Sequence, residues 1–110
     1  MRHPCEVAAR HLLPAFRSLI AKGLIEDYGF TQAAAAKKLG TTQAAISYYL
    51  SSKRGERYIQ PLEATPLVAA KIRAIVTGLE ANALSPAEVM EKLCDLCTAV
   101  RTLNLINTTH

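Results

Sequence analysis

Gln43, Ala44, Ser47 and Tyr48 are residue types that read nucleic-acid bases, and they fall together in the run TTQAAISYYL. A glutamine amide can pair with both N6 and N7 of adenine, an alanine methyl fits against the methyl of thymine, and the two hydroxyls can reach a base or a phosphate. Such readout needs the four side chains on one outward face of a helix, near the end that enters a major groove. The spacing provides that face. Ala45, Ile46, Tyr49 and Leu50 recur at helical intervals as one buried stripe, which turns the other four outward. Tyr49 belongs with the core by this phase, and Tyr48 with the reading face. With so few polar readers, base discrimination is expected to be modest, and shape and backbone contacts to matter more.

Two helices have to position this face. Thr42 precedes the second as its N-cap, and Gly40 separates it from an Ala-rich first helix that opens at Thr31 and runs through residues 33 to 36. Alanine favours helix, threonine satisfies the first free N–H groups, and glycine accepts the positive φ with which helices often end. Thr31, Gln32 and Thr42, at helix N-termini, are placed to meet phosphates. Lys53, Arg54 and Arg57 follow and would add charge contacts. The chain's net charge of +4 is unevenly spread: residues 31–60 carry +4, residues 1–30 carry +1, residues 61–80 carry 0 and residues 81–110 carry −1. A basic surplus on this segment attracts a phosphate backbone, and the Gln/Ser/Tyr face suits bases better than a lipid surface.

From Thr31 to Arg54 the chain resembles the helix-turn-helix of the phage-repressor Cro/C1 (XRE-type) family, in Gln32, Ala36, Gly40, Ile46 and Leu50. By weaker similarity the whole chain resembles archaeal predicted transcriptional regulators with a PCE-like start and a CxxC near the C-terminus. The resemblance implies a lambda-repressor-like helix-turn-helix domain that works as a homodimer on a two-fold symmetric operator in double-stranded DNA. It also points to Gln43 as the main base reader.

Around this unit the rest of the chain reads as helix. Val7, Ala8, Leu12, Phe16, Leu19, Ile20 and Leu24 form a helical stripe over residues 6–28, with Pro14 inside it, so a bend or two joined helices is expected. Residues 51–66 hold one glycine, two prolines and several charges, so residues 52–65 read as a loop that could follow a phosphate backbone. Leu67, Val68, Ile72, Ile75, Val76 and Leu79 are in helical phase over 66–81. Ser85-Pro86-Ala87-Glu88 then has the form of a capping box with proline at the first helical position. Val89, Leu93, Leu96, Val100, Leu103 and Ile106 continue a stripe of about six turns. That stripe can close the chain's own core or meet a second copy, and its width favours a homodimer.

The fold expected is therefore all-α: a helix-turn-helix domain with additional C-terminal helices, about five in all. Residues 1–60 would be the DNA-binding unit and residues 61–110 a helical extension for dimerisation within the same compact domain. A hydrophobic share of 50% over 110 residues is enough for one small core. The start MRHPCE has no apolar signal core, and no run of about 18 apolar residues occurs, so the expected setting is cytoplasmic with no membrane partner.

Cys5, Cys94 and Cys97 are the second set with chemical potential. An odd count argues against a disulfide framework. If the last helix packs on the first, the three thiols converge as three ligands of an iron-sulfur cluster or of zinc, completed by His3, His11 or an outside ligand. Cys94 and Cys97, one turn apart and read as sharing a face, could instead form a reversible redox pair, and buried idle thiols are the plain alternative. A CxxC thiol oxidoreductase fits poorly, because that motif opens a helix after a strand and here lies well inside a helix. No phosphate loop or nucleophile-base set accompanies it, so the chain is read as a non-enzyme. A protein-interaction adaptor on the same two-helix scaffold is the other class, and it would not need the basic segment.

Overall fold

The computed structural model describes residues 4–51 and 61–102, with side chains described for 12–51 and 61–100. These residues are all-α. The longer helices among the described residues are α1 (Pro4–Tyr28), α2 (Gln32–Leu39), α3 (Gln43–Ser51), α4 (Pro66–Glu80) and α5 (Pro86–Thr102). No strand occurs among the described residues.

α1 is the axis of the molecule, packing against each of the other four helices. Its buried face is Leu12, Ala15, Phe16, Leu19, Ile20 and Leu24. Recurrence at three- and four-residue steps keeps these side chains on one stripe. Pro14 lies inside α1 and does not divide it into two helices. A proline there removes one N–H and crowds the carbonyl four residues back. Buried neighbours on either side of it, Leu12, Ala15 and Phe16, hold the helix against the core through that defect.

Against α1 sit Val68, Ile72, Ile75, Val76 and Leu79 of α4 and Val89, Leu93, Leu96 and Val100 of α5, in one continuous apolar core. The helices α1 and α4 approach closely at Gly23, where a Cβ would come within 2.9 Å of a Val76 methyl. Leu67, assigned to the α4 stripe from its spacing, is instead 49% exposed. It lies about 100° around the helix from Val68, on the side away from Ile72 and Val76, so the core-facing arc excludes it.

Two other readings change at this level. Within the segment taken as a loop, residues 61–64 are helical. Leu62 is fully buried in the core, and the Thr65 hydroxyl donates to the Pro61 carbonyl at 2.8 Å. The α5 stripe that suggested pairing with a second copy is buried within the chain itself: Val89, Leu93, Leu96 and Val100 all lie in the core formed with α1 and α4. Its width therefore reflects two neighbours in the same molecule. Leu103 and Ile106 lie outside the described residues.

The start of α5 follows the capping-box expectation. The Ser85 N–H donates to Glu88 Oε1 at 3.0 Å, and the Glu88 N–H donates to the Ser85 hydroxyl oxygen at 3.2 Å. The bond from the Ser85 backbone, then that to its side chain, and the nearby Lys92 charge hold the Glu88 carboxyl below its ordinary value. A carboxylate whose folded pKa is depressed adds stability that is complete above its unfolded value of about 4.3 and is lost as pH falls through the folded value. Glu88→Gln keeps the cap's acceptor without the titration. Thermal midpoints measured at about pH 7 and about pH 3 should differ less for this variant than for the parent chain; an equal acid loss in both would mean that the cap does not titrate with folding.

Candidate nucleic-acid interface

The chain between α2 and α3 is only Gly40, Thr41 and Thr42. The Thr31 hydroxyl oxygen accepts from the Ala34 N–H at 3.1 Å and starts α2. At the other end Gly40 has φ 69°, its N–H donates to the Lys37 carbonyl at 3.2 Å, and the Thr41 N–H donates to the Ala36 carbonyl at 2.9 Å. That pair of bonds is a Schellman turn, which needs a left-handed residue at the glycine's position. The Thr42 hydroxyl oxygen then accepts from the Ala45 N–H at 3.1 Å and starts α3. Both caps and the turn follow the sequence expectation.

Ile46 fixes the rotation of α3. It is fully buried with Ala21 of α1 and Ala36 of α2, and Ile25, Leu39 and Tyr49 pack around this cluster. With Ile46 inward, Gln43, Ala44, Ser47 and Tyr48 are all exposed, as their spacing predicts. Tyr49 is half-buried and meets Tyr48 edge to face at a centroid distance of 6.2 Å. Leu50 departs from the expectation: it is 38% exposed rather than part of the buried stripe. At about 100° per residue the inward arc is centred between Ile46 and Tyr49, and Leu50 falls on its rim beside Gln43. The outward face of α3 is thus bordered by an aliphatic and an aromatic side chain.

Of the residues expected to meet phosphates, Thr31 and Thr42 are exposed at the two helix starts, while Gln32 is partly covered. Each threonine's oxygen already serves its cap, which leaves its O–H free to donate outward. The first N–H groups of α3 point the same way, a polarity suited to an anion. Lys53, Arg54 and Arg57 lie outside the described residues. The basic pair of α2 has a different place: Lys37 and Lys38 occupy its last turn, where cations complement the helix dipole.

Contacts from distant parts of the chain also support this unit, and local sequence patterns carry no sign of them. α4 ends as α2 does, with Asn82 at φ 59°, its N–H on the Leu79 carbonyl at 3.2 Å and the Ala83 N–H on the Gly78 carbonyl at 2.8 Å. The two turns abut. The Lys38 ammonium donates to the Asn82 side-chain oxygen, and Gly40 lies so close to Pro86 that a Cβ would come within 2.8 Å of the proline Cβ. Asparagine tolerates the left-handed region better than most residues. An Asn shortly after an apolar helical stripe, followed by Ser-Pro, was the available hint of a rigid corner, but its partner could not be read.

No family model, curated protein or solved structure matches the chain. The functional reading therefore stands on the geometry of α2, α3 and their supports.

Cys94 is exposed and Cys97 is buried beside Leu93 and Leu96. A three-residue step turns the helix by about 60° short of a full turn, and here that angle spans the boundary of the core. α5 does pack on α1, but the side chain of Cys5 lies outside the described residues. Among the described residues no cluster of three His, Cys, Asp or Glu side chains could hold a metal ion. Nor is any described helix long and apolar enough to cross a membrane.

Proposed function

We propose that this chain is a sequence-specific DNA-binding transcriptional regulator that acts as a homodimer, with α3 as the helix that enters the major groove. The observation that carries the reading is the outward set Gln43, Ala44, Ser47 and Tyr48 on α3, set opposite the buried Ile46. The Thr42 cap puts the N-terminal end of α3, and with it Gln43, at the front of that face. The +4 surplus of residues 31–60 supplies the attraction to phosphate. In this reading Gln43 makes the base contact, Thr31, Gln32 and Thr42 contact phosphates, and Lys53, Arg54 and Arg57 add charge contacts.

Two copies would place two α3 helices on successive major grooves about 34 Å apart. Light scattering at micromolar concentration, with and without a DNA duplex, tests the stoichiometry. A monomer bound to a single half-site would remove the dimer from the reading.

Gln43→Ala should relax preference at one base position at a cost of about 1 to 3 kcal/mol, while total affinity for random duplex changes little. Selection from a randomised duplex library, run with both proteins, measures this. Uniform weakening across all sequences would reassign Gln43 to a phosphate.

A protein-interaction adaptor is the second reading, favoured by one observation. Tyr48 on the α3 face and Leu50 on its rim, both substantially exposed, give that face an apolar character unusual beside phosphates. A duplex-binding assay separates the two readings. In the DNA-binding reading Cys5, Cys94 and Cys97 are the set through which the regulator would sense metal or redox state. Iron, sulfide and zinc measured on protein purified without oxygen decide between a cluster, zinc and plain thiols.

A further inference from the structure

The two turns that abut behind α3 have a hollow on their far side. Between α4 and α5 lies a cavity of about 370 Å³, within the range of small-molecule sites. Its floor is apolar: Ala74 and Ile75 of α4, Ala83 and Leu84 of the connecting turn, and Leu96 of α5. Gly78 makes room for Leu84, whose Cδ1 would stand 2.7 Å from a Cβ there, so the turn closes one end of the hollow. Lys71 and Lys92 stand on the rim with Asp95, a surplus of one positive charge. Glu88 interacts with Lys92 from outside the hollow and is not among its lining residues.

An apolar floor with cationic groups at its edge suits an amphipathic monoanion. A second groove among the described residues, of about 390 Å³ between α1 and α4, has no such bias. Its rim mixes Lys22 and Arg73 with Glu26, Asp27 and Glu63, and Lys22 already lies 3.7 Å from Glu63.

We infer that the α4–α5 hollow binds a small amphipathic carboxylate, an aliphatic or aromatic acid whose apolar body sits on Ile75, Leu84 and Leu96 and whose carboxylate lies between Lys71 and Lys92. Occupancy bears on the α2–α3 turn, because the segment that lines the hollow at Ala83 and Leu84 also carries Asn82, bonded to Lys38, and leads into Pro86, which touches Gly40. A ligand that repositions this corner changes the seat of α3. The effect on DNA affinity rests on the proposed function; the binding and its transmission to Gly40 do not.

Octanoate is a suitable probe, with octanol as its uncharged counterpart, titrated into the uniformly ¹⁵N-labelled full chain. Octanoate should shift the amides of Gly78, Ala83, Leu84 and Leu96 saturably, with a second group of shifts at Gly40 and Thr41. Lys71→Glu with Lys92→Glu should weaken octanoate by about tenfold or more, since two attracting charges become two repelling ones. Both lysines are exposed, so the fold should tolerate the change, and Ala74→Trp provides a second variant that fills the hollow. Shifts that do not saturate, an unchanged midpoint in both variants, or octanol binding as well as octanoate would overturn the site. Saturable shifts confined to the hollow would overturn the transmission. Because no DNA is present, these results stand or fall apart from the DNA-binding reading; with DNA added, an affinity that octanoate leaves unchanged would overturn the regulatory role alone.

Discussion

Lys53→Glu combined with Arg54→Glu is expected to lower DNA affinity by about a hundredfold or more and to reduce the slope of log affinity against log salt by about 2. The argument is electrostatic. Each cation that neutralises a phosphate releases a condensed counterion, and removing two such contacts removes their share of the salt dependence. Replacing them by two anions adds repulsion to the loss. The residues follow α3 directly, and the surplus charge of the chain is concentrated in residues 31–60. Fluorescence anisotropy on a labelled duplex at several salt concentrations measures both quantities, and circular dichroism checks that helicity is retained. Affinity and slope that match the parent chain would sink the docking geometry and favour the adaptor reading.

Gly40→Val should be the most damaging single substitution in the α2–α3 unit. The position has φ 69°, where a β-branched residue is strained by about 1 to 2 kcal/mol, and its new Cβ would meet Pro86 at 2.8 Å. Overpacking of that kind costs about 1 to 3 kcal/mol more. The sum is a large fraction of the roughly 5 to 15 kcal/mol that holds a domain together. A fall in thermal midpoint of roughly ten degrees or more follows, and DNA affinity should drop further than stability alone explains, because the angle between α2 and α3 changes. Gly40→Asn is the control: it accepts the backbone angle and leaves only the contact with Pro86. A valine variant as stable as the asparagine variant would mean that backbone strain is not what the glycine avoids.

How much of this was legible in the sequence divides along local and non-local physics. The caps at Thr31, Thr42 and Ser85, the end of α2 at Gly40 and the inward phase of Ile46 are set by residues within one turn of each other, and all were readable. Leu50 and Leu67 were assigned inward because apolar type and spacing place them near a stripe, but the centre of the stripe depends on which neighbours cover it. Residues 61–64 fall in a segment whose glycine, two prolines and several charges read as loop; burial of Leu62 in the core with residues of α1 and α4 is tertiary information that this composition does not carry. The outward quartet on α3 was found, whereas its supports at Asn82 and Pro86 were not. Those contacts join residues more than forty positions apart, and no periodicity encodes them.

The central place of α1 sets an order for the molecule's making. Its buried face is covered chiefly by α4 and α5, so a chain still emerging from the ribosome exposes Leu12, Phe16 and Ile20 until residues up to Val100 have been synthesised. At a few residues per second to a few tens, that interval lasts several seconds or more. During it α3 is held to α1 through the small cluster around Ile46. Competence of the α3 face is thereby delayed until translation has supplied the helices behind it, and a chain cut short before α4 would meet chaperones or proteases with its longest apolar stripe bare.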